Sequence, residues 1–500
     1  MTELLSNYKK LMEKTKETTI LHTAMSIIEW DMETKMPPKG ITLRSLQLAT
    51  LRRIEHKMTT NPEIGTLLKQ IMTHQEYNKL DPTQKRNIYL TKKNYDEQTA
   101  LPEQLVTETA KQEAIAIDKW KKAKATKNFS TFKPELEKVV ELKKKAAEIL
   151  MKVKETPTPY DALIDIHEPK MTTQTITKIF GELQEGLTTI IKKCENAPKQ
   201  SDTSILKRPV PIDTQRKISN SLAKFLEYDV ESREAGGRID ETEHPFTTGY
   251  FDDVRITTHY YEKDFTSSIF SIMHEGGHAI YDQSLNPEWI FQPVGEGCSS
   301  GFHESQSRFV ENIIGRSSEF WIYYLPKLKE LIGNVLSNVD SDTFIHAINQ
   351  VKPSKIRIEA DEVTYCLHII IRFNLERDLF ANKITVKELP EIWNQKYNDY
   401  LGVDIENDSE GVMQDTHGAG GGYGYFPSYA LGNIYSGQIL TAMEKDLPSW
   451  RNQLAEGNFH NIKQWLATNV YNYGNLCDPI PLLKRITGQE INVKPFVDYL

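Results

Sequence analysis

Cysteine is scarce in this chain: Cys194, Cys298, Cys366 and Cys477 are the four among 500 residues. They form no CxxC and no paired spacing, which excludes a thiolate metal cluster, argues against a disulfide framework and fits a reducing, cytoplasmic setting. Long apolar runs are absent, and residues 1–12 are polar and amphipathic rather than a charged stub before an apolar core. Neither a membrane span nor a targeting leader is expected. Basic charge is not in excess either. A formal net charge of −8, from 61 Lys and Arg against 69 Asp and Glu, gives no electrostatic case for nucleic acid or an anionic membrane. Lys-rich runs such as 121–127 have Glu interleaved nearby and read as solvated helix faces. No internal repeat is present. What remains is 39% hydrophobic content with both charge signs plentiful, enough for a large globular core.

The first two hundred residues read as charged amphipathic helices punctuated by Pro37-Pro38, Pro62, Pro82, Pro102, Pro157 and Pro159. Residues 196–211, polar and rich in proline, are the best internal connector. Val254, Ile256 and Thr258 alternate with Arg255, Thr257 and His259, which predicts one strand within 251–260; helices are expected elsewhere. The expected fold is mainly α: a single domain over 1–500 forming one large body with a cleft and a small sheet beside the motif helix described next. Within it, 1–200 is the N-terminal helical region and 240–435 the region where the chemistry concentrates.

His274-Glu275-Gly276-Gly277-His278 is an HExxH run. Apolar Ile269, Ile272, Met273, Ala279 and Ile280 recur around it at helical spacing, and no proline intervenes before Pro287. On a helix, His274 and His278 share one face and can present ring nitrogens to one cation, with Glu275 beside them as a base for water. Two glycines in a helix interior each cost about 1 kcal/mol, so a close approach by substrate, strand or a second helix is expected there. A catalytic metal needs a third protein ligand. Glu304, in His303-Glu304-Ser305-Gln306, is the first choice, on a second helix spanning about Phe302 to Ile314. His303, Glu296 and Asp282 are alternatives. His303 is read as a substrate contact or a support behind a ligand, and Asp282 as a carboxylate that orients an imidazole.

HEGGH followed by HESQ resembles the carboxypeptidase Taq family of metallocarboxypeptidases, and three further segments agree in order. Asp253 to Thr257 matches DxRxT, Ile356 to Asp361 matches IRxxAD, and Gly411 to His417 matches GxxQDxH. Weaker echoes occur at Trp30-Asp31, Met36-Pro37-Pro38, Pro159-Tyr160-Asp161 and 425–429, so the likeness spans most of the chain. One departure is Gly418, opening a glycine run where the family has Trp. The resemblance implies a saddle-shaped homodimer with a deep groove, acting on peptides with a free C-terminus.

Capture of a C-terminal carboxylate calls for a fixed guanidinium. Arg357 is the first choice, in a segment 356–377 of helical periodicity, with Asp361 one turn later as its expected partner. Arg255 is the alternative. His417, Tyr423 and Tyr429 are expected as substrate contacts and oxyanion donors in the glycine-rich loop. The combined expectation is a carboxypeptidase that releases single residues, with one divalent ion, zinc or alternatively cobalt, on His274, His278 and Glu304, and Glu275 as general base. A related endo-oligopeptidase with an open groove is the alternative; a non-catalytic helical binding protein is disfavoured because ligands and base are all intact.

Overall fold

Between Thr2 and Glu195 the chain forms eight α-helices, several opened by proline. Pro62, Pro82 and Pro159 occupy first helical positions, where the missing N–H has no partner to lose and φ is preset. Asp81 and Gln84 form a capping box at one of these starts. The structure is a computed structural model describing residues 1–197 and 201–500. Of the expected connector 196–211, residues 198–200 lie outside the described residues. The remainder is no free linker: Ser204–Lys207 is a short 3₁₀ turn, and Ile205 and Val210 join the core.

One buried hydrophobic core runs from Ala116 to Phe496. A smaller one, from Leu4 to Ile88, pins the helix Thr2–Thr34 to the helices Pro62–Met72 and Pro82–Ala100. No helix among the described residues is long and apolar enough to cross a membrane. The architecture is a mainly helical single-domain fold with a small three-stranded sheet, as expected. The sheet is larger than the one strand anticipated. β1 (Gly237–Glu241), β2 (Thr247–Tyr250) and β3 (Asp253–Thr258) lie in the order β1-β3-β2, with β1 parallel and β2 antiparallel to β3. Val254 and Ile256 of β3 are fully buried, and β2 and β3 pack against the helix Phe265–Gln283, which carries HEGGH.

The second motif helix is shorter than expected. An α-helix, Ser300–Arg308, is capped by the Ser299 side chain and continues as a wider π-helical stretch, Phe309–Ile314. A further helix, Glu362–Phe380, begins later than the periodicity from Ile356 predicted. Asp361 Oδ1 accepts the Val363 and Thr364 N–H groups, each at 3.0 Å, and so terminates the helix at its own position. Arg357 therefore sits in a separate 3₁₀ turn, Arg357–Glu359. A cavity of about 950 Å³ separates the N-terminal helices from the segment Glu296–Ser300 that leads into the Glu304 helix.

Candidate metal centre

His274 and His278 lie one turn apart on a helix whose opposite face, Ile269, Ile272, Met273 and Ile280, is buried. Nε2 of His274 is 3.6 Å and Nε2 of His278 3.5 Å from Oε2 of Glu304. Tetrahedral coordination with bonds of about 2 Å requires donor atoms about 3.3 Å apart, so two imidazoles and one carboxylate oxygen fit a divalent cation. All three donors lie within 4.8 Å of one another. Gly277 makes this possible: a Cβ there would stand 2.7 Å from Gln306 O and Ser307 Cα. The close approach anticipated at the glycines is thus the helix–helix contact, and it delivers Glu304 to the histidines.

Supports stand behind each candidate ligand. Arg308 Nε donates to Oε1 of Glu304 at 2.7 Å, which leaves Oε2 facing the histidines. Burial works against ionised Glu304, yet the Arg308 and His274 charges hold its carboxyl far below the usual range. Nδ1 of His274 donates to Glu311 Oε2 at 2.8 Å, from the π-helical stretch. Burial pulls His274 down, but Glu304 and Glu311 outweigh it and bring it to about 9. His278 is held differently. Its Nδ1 lies 2.5 Å from Nδ1 of His303, whose Nε2 lies 2.8 Å from Oδ1 of Asp282. A carboxylate only accepts, so Nε2 of His303 donates to Asp282; with a cation on Nε2 of His278, the His278 proton sits on Nδ1 and His303 accepts it there at Nδ1. Asp282 does orient an imidazole, as expected, but that of His303; His303 is the support for His278.

Glu275 is buried, and burial raises its carboxyl above the ordinary range. Thr247 Oγ1, on edge strand β2, donates to its Oε2 at 2.6 Å and fixes the carboxylate. Of the other candidate residues, Glu296, an alternative ligand, lines the cavity instead, and Arg255, the alternative carboxylate-binding cation, pairs with Asp253 at 2.8 Å and covers the Trp30 ring.

Arg357 does not pair with Asp361. Its Nε and Nη2 donate to Oδ1 of Asp415 at 3.0 and 2.8 Å, because Asp361 is spent as a helix cap. Its guanidinium lies 5.3 Å from the Tyr429 ring centroid. His417 lies in the same aromatic cluster, with its ring 5.9 Å from Tyr425 and 6.3 Å from Tyr429; burial lowers it to about 4. Tyr423 is not part of the cluster. It turns into the core, 5.1 Å from the Phe380 ring, and Tyr425, beyond Gly424 at φ +83°, takes the place expected of it beside Tyr429. The Glu304 charge bears on both Tyr425 and Tyr429. At Gly418 a Cβ would meet Tyr423 Oη at 3.6 Å and Leu136 Cδ1 at 3.8 Å, ordinary contacts, so nothing local demands glycine there.

The residues alone do not single out Arg308, Glu311, Thr247, Tyr425 or Arg372, whose Nε donates to Oδ2 of Asp415 at 2.7 Å. Arg308 and Glu311 carried a signal, since positions four and seven beyond Glu304 share its helix face. Thr247 and Arg372 carried none, being joined to their partners only by folding.

Fold and centre together define a helical metallopeptidase with a candidate His-His-Glu metal site. The profile of the carboxypeptidase Taq (M32) metallopeptidase family matches residues 10–500, and the chain belongs to that family. It is a metallocarboxypeptidase. It is 38% identical over 499 residues to Carboxypeptidase 1 of Bacillus subtilis (strain 168), covering 100% of this chain and 98% of that one. To Thermostable carboxypeptidase 1 of Thermus thermophilus it is 39% identical over 504 residues, covering 99% and 97%. The crystal structure of the M32 carboxypeptidase from Deinococcus radiodurans R1 superposes with a TM-score of 0.94 at 31% identity, covering 99% of this chain and 98% of that one.

Proposed function

We propose that this chain removes single residues from peptide C-termini, with His274, His278 and Glu304 holding a divalent cation and Glu275 as general base. The observation that carries the reading is the convergence of the two Nε2 atoms and one carboxylate oxygen at 3.5 and 3.6 Å beside a carboxylate already anchored by Thr247. A bound cation supplies electrophilic polarisation of a carbonyl and of a water molecule. Glu275 takes the proton of the attacking water on Oε1, the oxygen Thr247 leaves free, and returns it to the leaving amine nitrogen. Burial raises its pKa, which makes it a stronger proton acceptor than an exposed carboxylate.

Arg357 meets the substrate carboxylate, while Tyr425, Tyr429 and His417 wall the space between that cation and Glu304 and donate to the developing oxyanion. β2, an edge strand beside the helix, can align the peptide backbone. Zinc is the cation we assign, on the His₂Glu donor set, with cobalt a competent substitute. The reading includes one domain over 1–500, a homodimer, supported by the family resemblance, and a cytoplasmic setting, supported by the sparse cysteines. Sedimentation equilibrium reads the dimer as twice the 57.5 kDa chain mass. Glu275→Gln tests the chemistry: it is expected to bind one cation per chain while kcat falls about 100-fold or more. Wild-type kcat in that variant rejects the general base.

A further inference from the structure

Two guanidiniums share one carboxylate behind the aromatic cluster. Arg357 occupies Oδ1 of Asp415, and Arg372 Nε donates to Oδ2 at 2.7 Å. Arg372 is 2% exposed. Its Nη1 donates to His368 O at 2.8 Å and to Tyr397 Oη at 3.1 Å, and its guanidinium covers the Trp393 ring at 4.7 Å. Among the described residues, neither guanidinium has a second carboxylate within ion-pair distance.

Two positive charges against one negative leave a net positive charge in a buried place. The surrounding groups do not cancel it. His368 is driven towards its neutral form by burial first and the two arginines next, and His417 by burial, against the opposing pull of Asp415, with the two arginines adding to it. Lys124, whose Nζ donates to Gln414 O, adds positive charge near Asp415. Glu376, one turn beyond Arg372, is pushed up to about 7 by burial and has Oε2 taken by Gly424 N–H and Tyr160 Oη. Aromatic faces soften an excess cation without neutralising it. An unpaired buried charge is costly, so such a site favours an arriving anion.

We propose that Arg372 is a positioning residue for substrate recognition: by neutralising Asp415 through Oδ2, it leaves the Arg357 charge available to the C-terminal carboxylate of a peptide. Without Arg372, Asp415 and Arg357 would form a neutral pair. The inference rests on the reading that Arg357 meets that carboxylate. It also separates charge from shape, because lysine at 372 keeps the first and loses the fork.

The test measures kcat and KM for a peptide with a free C-terminus in wild type, Arg372→Met, Arg372→Lys and Arg357→Ala, with melting temperatures to establish folding. It also measures competitive inhibition by a free amino acid and by its amide. Arg372→Met is expected to raise KM about 10-fold or more, with a smaller change in kcat, and to lose the preference for the free amino acid as inhibitor. Arg372→Lys is expected to rescue KM to within about threefold of wild type. If Arg372→Met does not fold, the lysine variant decides: a KM raised as far as in Arg357→Ala overturns the proposal. So does a folded Arg372→Met with KM unchanged. If Arg357→Ala itself keeps KM and inhibitor preference, the clamp reading fails first, and the inference with it; if only the arginine 372 variants are silent, the inference alone fails.

Discussion

His274 and His278 share a helix face but take their orientation from different partners. Glu311 holds the first directly; Asp282 holds the second through a neutral His303. Removing the carboxylate at the end of that relay frees His303 to carry its proton on Nδ1, where it would donate to His278 and turn the wrong nitrogen towards the cation. Asp282→Ala is therefore expected to weaken cation binding about 10–100-fold by competition with a chelator, while Glu275→Gln leaves it unchanged. Equal affinity in wild type and Asp282→Ala would reject the relay. At this scale much was legible. HExxH and a carboxylate on a following helix specify a candidate donor set from spacing, and the fold does gather His274, His278 and Glu304 into one group. The expected Arg357–Asp361 pair gives way to Arg357–Asp415, because the helical periodicity does not run through Asp361. A cap competes with the helix it starts, and no count of apolar positions reveals that.

Two elements set the distances on which the centre depends. Gly277 lets the Glu304 helix lie against the HEGGH helix. Alanine there gains about 1 kcal/mol in helix propensity but meets backbone atoms at 2.7 Å, and overpacking typically costs 1–3 kcal/mol. Since backbone cannot move aside as a side-chain tip does, the cost wins. Gly277→Ala should melt lower than wild type and bind the cation more weakly; unchanged values for both would remove the glycine from the account. Under the glycine-rich loop, Glu376 receives Gly424 N–H and Tyr160 Oη while burial raises its carboxyl from 4.5 to about 7. The folded state then binds the proton more tightly than the unfolded chain, so this group's contribution is full below pH 4.5 and is lost as pH rises through 7. Glu376→Gln keeps both hydrogen bonds without the ionisation. Its melting temperature relative to wild type should climb between pH 4.5 and 7 and level off above; a constant difference would contradict the burial of an ionisable proton there. The loop was legible as glycine-rich, yet the opposite directions of Tyr423 and Tyr425 were not, since they depend on a left-handed turn at Gly424.

For the whole molecule, a mainly helical body with a minor sheet beside the motif helix followed from periodicity and proline placement. The separate core from Leu4 to Ile88, and strands β1 and β2, did not, because four- and five-residue strands and satellite cores are fixed by partners distant in sequence. The same dependence on distant partners hid the Arg372–Asp415–Arg357 set, to which we assign the recognition of a peptide's C-terminal end. A cation centre alone would hydrolyse any peptide bond laid across it. The excess positive charge beside it is what selects the end of a chain, and that is the central claim. Its most direct measurement is a mass-spectrometric time course of one peptide offered with a free and with an amidated C-terminus. The account predicts stepwise loss of single residues from the free peptide and cleavage of the amide slower by about 10-fold or more. Equal rates on the two peptides, or internal fragments from either, would contradict it.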